Sequence, residues 1–206
     1  MILLTGGTGY IGGAIKAHLE ARGKSVDAPK RWQMDVTDEW QIRHFCEAKT
    51  FDAAILAHGQ YGHIGTIKSA SRPQWARAFE TNVLGCVSVI HHAKIAGPII
   101  IFGGAKGGRV PFLERSSYAA SKAAINVIVQ TGAAEGLKIY GIAPGAQPSK
   151  MQDALFVSSA SAEVKSEVKQ SLLRSPGLAG IFKIVDAILE GRAEPGFFYS
   201  AGEWGE

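Results

Sequence analysis

Tyr118 and Lys122 stand four residues apart in the run Ser117-Tyr118-Ala119-Ala120-Ser121-Lys122. On a helix that spacing puts both side chains on one face. A phenol with a pKa near 10 carries protons poorly at neutral pH, and bringing it toward 7 takes about 4 kcal/mol. A lysine ammonium about 4 Å away supplies roughly that much at an effective dielectric near 20. The pair can therefore make a general acid for reducing a carbonyl, or a base for the reverse oxidation. With five tyrosines in the chain, the pair alone is a weak signal.

A second group sits at the start of the chain, in Thr5-Gly6-Gly7-Thr8-Gly9-Tyr10-Ile11-Gly12. It falls between a candidate strand, Ile2-Leu3-Leu4, and a candidate helix. Chemistry that brings backbone against a pyrophosphate needs glycines there. One makes the tight turn, one admits the phosphates, and one lets helix and strand pack closely. The phosphates then face the free N–H groups of the helix N-terminus. Thr8, Tyr10 and Ile11 share this loop and are counted with Gly6, Gly9 and Gly12 as candidate cofactor contacts. About 20 residues on, an acidic side chain would hold a ribose 2′-hydroxyl, whereas a cation would accommodate a 2′-phosphate. Asp27 falls too early, and the window holds Lys30, Arg31 and Trp32. That favours NADP(H) over NAD. Read as a solvated loop pair, Lys30 and Arg31 would leave the preference open.

These groups need a scaffold, and the apolar pattern supplies one. Short apolar runs alternate with amphipathic stretches. Candidate strands are Ile2–Leu4, a weak one at Ser25–Ala28, Gln33–Met34, Asp52–Ala57, Pro98–Phe102, Leu137–Ile142 and Gly196–Ser200. Helices are expected over Ile11–Arg22, stopped by Gly23, then Asp38–Ala48 with Thr37 as cap, Pro73–Ala93, Ser117–Ala134, Ala162–Leu173 and Leu178–Glu190. Ala146–Ala160 reads as a long irregular segment. Apolar strands that do not alternate belong to a parallel sheet covered on both faces. The expected fold is α/β: one doubly wound, Rossmann-like domain over residues 1–206, with about seven strands.

Composition excludes several classes. With 206 residues, 46% apolar and 19% charged, the chain can bury a sizeable core. No apolar run approaches the ~20 residues of a membrane span. Net charge +4 comes from dispersed Lys and Arg, which argues against nucleic acid. The chain opens directly on strand-like residues with no basic leader, so a cytoplasmic location is expected. Cys46 and Cys86 lack CxxC spacing and read as reduced core thiols. His91-His92 has no partner at ligand spacing, so no metal is expected. The 25 glycines exceed the usual share of about 7%, and they cluster.

Taken together, the glycine loop, Asp35-Val36, His58-Gly59, Thr81-Asn82-Val83-Leu84-Gly85, Tyr118-Ala-Ala-Ser-Lys122 and Pro144-Gly145 resemble a short-chain dehydrogenase/reductase in their order. The resemblance runs from Ile2 to about Gly202. The loop is more like the extended, sugar-nucleotide branch, and everything downstream is like the shorter, single-domain branch. It implies an oxidoreductase acting on a small carbonyl or alcohol. Tyr118 would be the general acid/base, Lys122 would lower its pKa and hold the nicotinamide ribose, and Asn82 would anchor a proton-relaying water. Asp35 and Val36 would contact adenine, and Ala57, His58 and Gly59 would lie along the adenosine. Pro144 and Gly145 would border the nicotinamide, with Ala146–Leu173 as a substrate lid. A homodimer or homotetramer through the small-residue helix after Tyr118 and the helix of Asn82 is also implied.

One departure from that pattern stands out. The family places a serine about 13 residues before the tyrosine, where this chain reads Ile101-Phe102-Gly103-Gly104-Ala105-Lys106-Gly107-Gly108. A backbone N–H, Lys106 or Ser116 could substitute, although Ser116 and Ser117 read more simply as helix N-caps. Without a substitute, the alternative is a cofactor-binding protein with weak or no catalysis. Elsewhere, His63 is a candidate substrate contact on a polar loop, Trp75 and Phe79 share a helix face, and Trp204 could cover a subunit boundary.

Overall fold

The computed structural model describes residues 1–104 and 112–204. A parallel sheet of six strands runs in the order β2-β1-β4-β6-β7-β8. Its strands are β1 (Ile2–Thr5), β2 (Val26–Asp27), β4 (Ala53–Leu56), β6 (Ile99–Phe102), β7 (Ile139–Ala143) and β8 (Phe198–Ser200). The sequence led to seven. The difference lies at Gln33–Met34, where both N–H groups bond to Lys30 O and close a turn instead of pairing with a neighbour. Two further short strands, β3 (Thr50–Phe51) and β5 (Lys94–Ile95), pair with each other outside the main sheet.

Strand side chains alternate between two cores, which is why their apolar runs are continuous. Ile2, Leu4, Ile55, Ile100, Phe102 and Ile142 pack with Ile15 and Leu19 of α1 (Tyr10–Ala21) and Ile181, Ile184 and Ile188 of α8 (Ala179–Leu189). Leu3, Leu56, Ile99, Ile101 and Ile139 face the other way. They meet Ile42 and Cys46 of α2 (Glu39–Cys46), Cys86 and Val89 of α4 (Gly85–His92), and Ile125 and Val129 of α5 (Ser116–Ala134). Both cysteines are buried and unbridged. Burial pushes the Cys46 thiol up to about 11 and the Cys86 thiol up to about 12.

Several boundaries moved for local reasons. Asp38, not Thr37, caps α2, its carboxylate accepting from Gln41 N–H at 3.1 Å. The stretch Ala146–Ala160 is not irregular: Ser149 caps α6 (Lys150–Val157), which leads into α7 (Ala162–Leu173). Leu155, Ala160, Val164 and Val168 form a third small core with Tyr61. The helix expected over Pro73–Ala93 is interrupted. It runs as α3 (Arg72–Phe79), a π-helical turn over Glu80–Leu84, and then α4. Arg115 is the N-cap residue of α5, so Ser116 and Ser117 lie inside its first turn and neither caps it. Ser117 Oγ instead donates to Tyr61 O at 3.2 Å, tying the loop after β4 to this helix. No described helix is long and apolar enough to cross a membrane.

Candidate active site

Strand order reverses at β1, whose neighbours are β2 and β4, so the loops leaving β1 and β4 part there and open a crevice. Two adjoining cavities fill it, of about 330 Å³ and 680 Å³. They share Thr8, Gly9, Ala57, His58 and Gly59 as a common wall. One groove therefore crosses the C-terminal ends of the central strands.

The glycine loop forms the floor of that crossing. Gly6 takes φ +70°, and a Cβ there would meet Ala57 backbone at 2.7 Å. A Cβ on Gly12 would collide with the Gly6 carbonyl oxygen. Gly9, extended at φ −81° and ψ 171°, is the N-cap of α1 and has no side chain to fill the first turn. The helix thus presents unobstructed N–H groups to the groove, a cradle suited to an anion.

The smaller cavity takes Arg31, Asp35 and Val36 from the segment after β2, with Pro29 and Met34 beside them. Lys30 does not line it; its backbone N–H donates to Gln33 Oε1 at 2.9 Å. Arg31 Nε donates to Asp35 Oδ2 at 2.7 Å while the side chain stays 84% exposed. Burial alone would raise the Asp35 carboxyl. The Thr37 N–H and hydroxyl and the Arg31 guanidinium outweigh it and hold the group below its ordinary value.

The larger cavity holds Tyr10, Ile11, Gly12, Tyr118, Lys122, Pro144 and Gly145 together, with Phe102 and Gly103 at the end of β6 and residues 147–153 opposite. Lys122 Nζ donates to Phe102 O at 2.6 Å and lies 5.7 Å from the Tyr118 ring centre. A Cβ on Gly59 would stand 3.3 Å from Asn82 Oδ1 and 3.6 Å from Lys122 Nζ, so the strand end, Asn82 and Lys122 lie close together.

Asn82 lies behind this wall, 1% exposed, on the π-helical turn. Its Nδ2 donates to Gln60 O and Ser121 Oγ, both at 2.8 Å, and Oδ1 accepts the Gln60 N–H at 2.8 Å. With both amide hydrogens committed, one Oδ1 lone pair remains for any relay. The side chain first of all clamps the loop after β4 to α5.

Charge in the site departs from the expectation that Lys122 lowers Tyr118. Burial raises the Tyr118 hydroxyl above its ordinary value, neighbouring Tyr61 adds to this, and Arg115 opposes it. Tyr61 packs edge-on at 4.9 Å between ring centres. Burial also lowers Lys122. His58 is held near 4 by burial and then by the Lys122 charge, and so is a neutral imidazole at pH 7. Its Nδ1 lies 2.6 Å from Thr5 Oγ1.

Other candidates fall elsewhere. His63 Nε2 lies 2.9 Å from Ser69 Oγ and is not a lining residue. His92 pairs with Glu39 at 2.8 Å, and no group of metal-ligating side chains occurs among the described residues. Trp75 and Phe79 stack at 6.4 Å, and Trp204 packs against Tyr199 at 5.8 Å. Ala105, Lys106, Gly107 and Gly108 lie outside the described residues. Ser116 Oγ is buried without a hydrogen-bond partner among the described residues and does not line the cavity. Sequence reasoning passed over Tyr61, Gln147 and Gln152. Tyr61 follows Gly59 closely and Gln147 follows Pro144-Gly145, but only tertiary contact gives either a role.

The fold is shared with solved short-chain dehydrogenases. A small-chain dehydrogenase in complex with NADPH matches at 21% identity and TM-score 0.79, covering 98% of this chain and 97% of the other. A short-chain dehydrogenase/reductase from Saccharomyces cerevisiae matches at 18% and 0.82, with 97% and 95% covered. ElxO with NADP bound matches at 19% and 0.79, with 98% and 97% covered. No curated protein matches by sequence. The family model described as NAD dependent epimerase/dehydratase family matches residues 2–146, well over half of the chain and inclusive of the loop, the tyrosine and the lysine. The chain belongs to that family, and with it to the short-chain dehydrogenase/reductase proteins its motifs resemble.

Proposed function

We propose that the chain is an NADP(H)-dependent oxidoreductase interconverting a small carbonyl compound and its alcohol. The observation that carries this reading is the shared groove. A glycine cradle at a helix N-terminus and the Tyr118–Lys122 pair open onto one continuous space.

The residues fit a dinucleotide. Gly6, Thr8, Gly9, Tyr10, Ile11 and Gly12 would hold its pyrophosphate, Asp35 and Val36 its adenine, and Arg31 a 2′-phosphate. Ala57, His58 and Gly59 would line the adenosine side, with Lys122, Pro144 and Gly145 at the nicotinamide end. Two of the structural neighbours contain NADPH or NADP. When bound, the cofactor supplies or takes up the hydride.

The chain's own residues handle the proton. Tyr118 gives its hydroxyl proton to the carbonyl oxygen as that oxygen gains charge, and the Lys122 ammonium stabilises the phenolate left behind. In the oxidative direction Tyr118 accepts the alcohol proton. The Phe102 carbonyl, accepting from Lys122 Nζ at 2.6 Å, keeps the ammonium in reach of the groove. The apolar cluster of α6 and α7 covers Tyr118 and limits water.

A second reading has a specific observation behind it. Burial raises Tyr118, and Phe102-Gly103-Gly104 carries no hydroxyl to hold a substrate oxygen. Loss of one such donor costs about 10²–10³ in rate. That favours a cofactor-binding protein with little turnover. NADPH consumption over a panel of small aldehydes and ketones separates the two. Turnover abolished by Tyr118→Phe supports the enzyme, and tight NADPH binding without turnover supports the binder. Exposed Leu84, Val87 and Val127 on the helices of Asn82 and Tyr118 agree with a homodimer, for which light scattering is the test.

A further inference from the structure

Among the described residues, Glu114 is the only one other than glycine to take a positive φ, 57°. The turn it makes is held from both sides. Its carbonyl accepts the Gly65 N–H at 2.8 Å, and its carboxylate accepts the Ser161 N–H at 2.7 Å, where α7 begins. Strain of this kind persists only where the surrounding structure overrides it. Next comes Arg115, the N-cap residue of α5, which is 4% exposed. An arginine is seldom buried so deeply. Three contacts fix its side chain. Nε donates to Leu113 O at 3.2 Å, Nη2 donates to Glu167 Oε2 of α7 at 2.7 Å, and the guanidinium carbon stands 5.3 Å from the Phe112 ring centre. Phe112 in turn meets the Tyr118 ring edge-on at 6.3 Å. Arg115 and Tyr118, at the N-cap and third positions of one helix, thus share a packed shell with Tyr61.

A buried ion pair holds two helices together no better than apolar residues of the same size. Fastening α5 to α7 therefore does not account for a cation here, whereas a neighbouring phenol that must lose its proton does. Burial raises Tyr61 and Tyr118, Tyr61 raises Tyr118 further, and the Arg115 charge pulls each back. Glu167 is 45% exposed, so solvent screens it and it cancels the guanidinium only in part. Of the other charges around Tyr118, Lys122 Nζ lies 5.7 Å from its ring centre, and Lys150 and Asp153 face the same cavity from α6. His58 faces it from the strand end as a neutral ring.

We propose that Arg115 is a positioning residue for Tyr118: its buried guanidinium, turned inward at the Glu114 bend, stabilises the phenolate left when Tyr118 gives its proton to the carbonyl oxygen, and Glu167 sets how much of that charge is felt. This rests on the oxidoreductase reading above.

The Tyr118 titration is followed by fluorine NMR on the whole protein carrying 3-fluorotyrosine, the signal being the one that Tyr118→Phe removes. Arg115→Gln is expected to displace the titration upward by about half to one pH unit. Glu167→Gln frees the guanidinium charge and is expected to displace it downward by a smaller amount. Arg115→Lys keeps the charge and is expected to stay near the wild type. The same proteins oxidise, with NADP, the alcohol matching the fastest carbonyl of the panel. Where that rate rises with pH, Arg115→Gln should slow it about three- to tenfold at equal pH, and Glu167→Gln should quicken it. Thermal unfolding identifies a variant that has lost its fold, and Glu167→Gln with Arg115→Lys still decides if Arg115→Gln is that variant. A purely structural pair cannot give opposite displacements, because Arg115→Gln and Glu167→Gln break the same contact. Displacement in the same direction, or in neither, overturns the proposal. A wild type that turns over nothing while its Tyr118 titration moves as expected upholds the effect of Arg115 and strikes the oxidoreductase reading. Turnover without those displacements does the reverse.

Discussion

Lys122 Nζ lies 5.7 Å from the centre of the Tyr118 ring and is anchored at 2.6 Å to the carbonyl of Phe102, the last residue of β6. One helix thus carries both partners, while a central strand fixes how far the ammonium can travel. Tyr118→Phe should keep the fold and the edge-on packing against Tyr61, because only the hydroxyl is removed. Carbonyl reduction is expected to fall by about 10²–10⁴ with NADPH affinity unchanged. Steady-state rates and fluorescence titration check the two halves.

Arg31 reaches the groove and Lys30 does not. Arg31→Ala should weaken NADPH binding by about tenfold and leave NADH binding alone, since only the 2′-phosphate meets the lost charge. Lys30→Ala should change neither. Paired titrations of the two cofactors, repeated at raised salt, test this.

Gly12→Ala places a methyl group against the Gly6 carbonyl, where backbone must move to admit it. A loss of about 1–3 kcal/mol in stability is expected, together with loss of dinucleotide binding. Urea unfolding and fluorescence titration measure each.

His58 ties stability to pH. Its folded value near 4 lies below the ordinary 6.5 because burial and Lys122 oppose its protonation. Unfolding therefore takes up a proton between these values. The contribution is fully present above pH 6.5 and is lost as pH falls toward 4, by up to about 3 kcal/mol. His58→Gln should flatten that part of the urea-midpoint profile between pH 7 and pH 4.

Asn82→Ala removes three hydrogen bonds and leaves the Gln60 backbone groups unpaired. A cost of about 2–4 kcal/mol is expected. Hydrogen exchange should quicken first in the loop after β4.

Much of this arrangement could be read from residue types. The continuous apolar runs foretold strands buried on both faces, and the clustered glycines foretold the turn into α1. What escaped depends on contacts between distant segments. Nothing in Gln33-Met34 distinguishes a strand from a turn closed on Lys30. The Ser- and Pro-rich stretch before Ala160 hides α6, whose capping serine and buried Leu155 make sense only against Tyr61. Tyr118 was expected to be lowered by its lysine, an expectation based on spacing. The depth of burial that raises it instead is a property of α6 and α7 packing overhead.

The π-helical turn at Glu80–Leu84 carries a consequence of its own. A turn with one residue too many rotates everything beyond it by about 100° relative to a regular helix. The apolar face of α3 and that of α4 are thus written in two different reading frames, joined at Asn82. A one-residue deletion there would restore a regular helix and misalign Cys86 and Val89 from the core. The irregular turn is what lets one continuous helical run serve two neighbours at once.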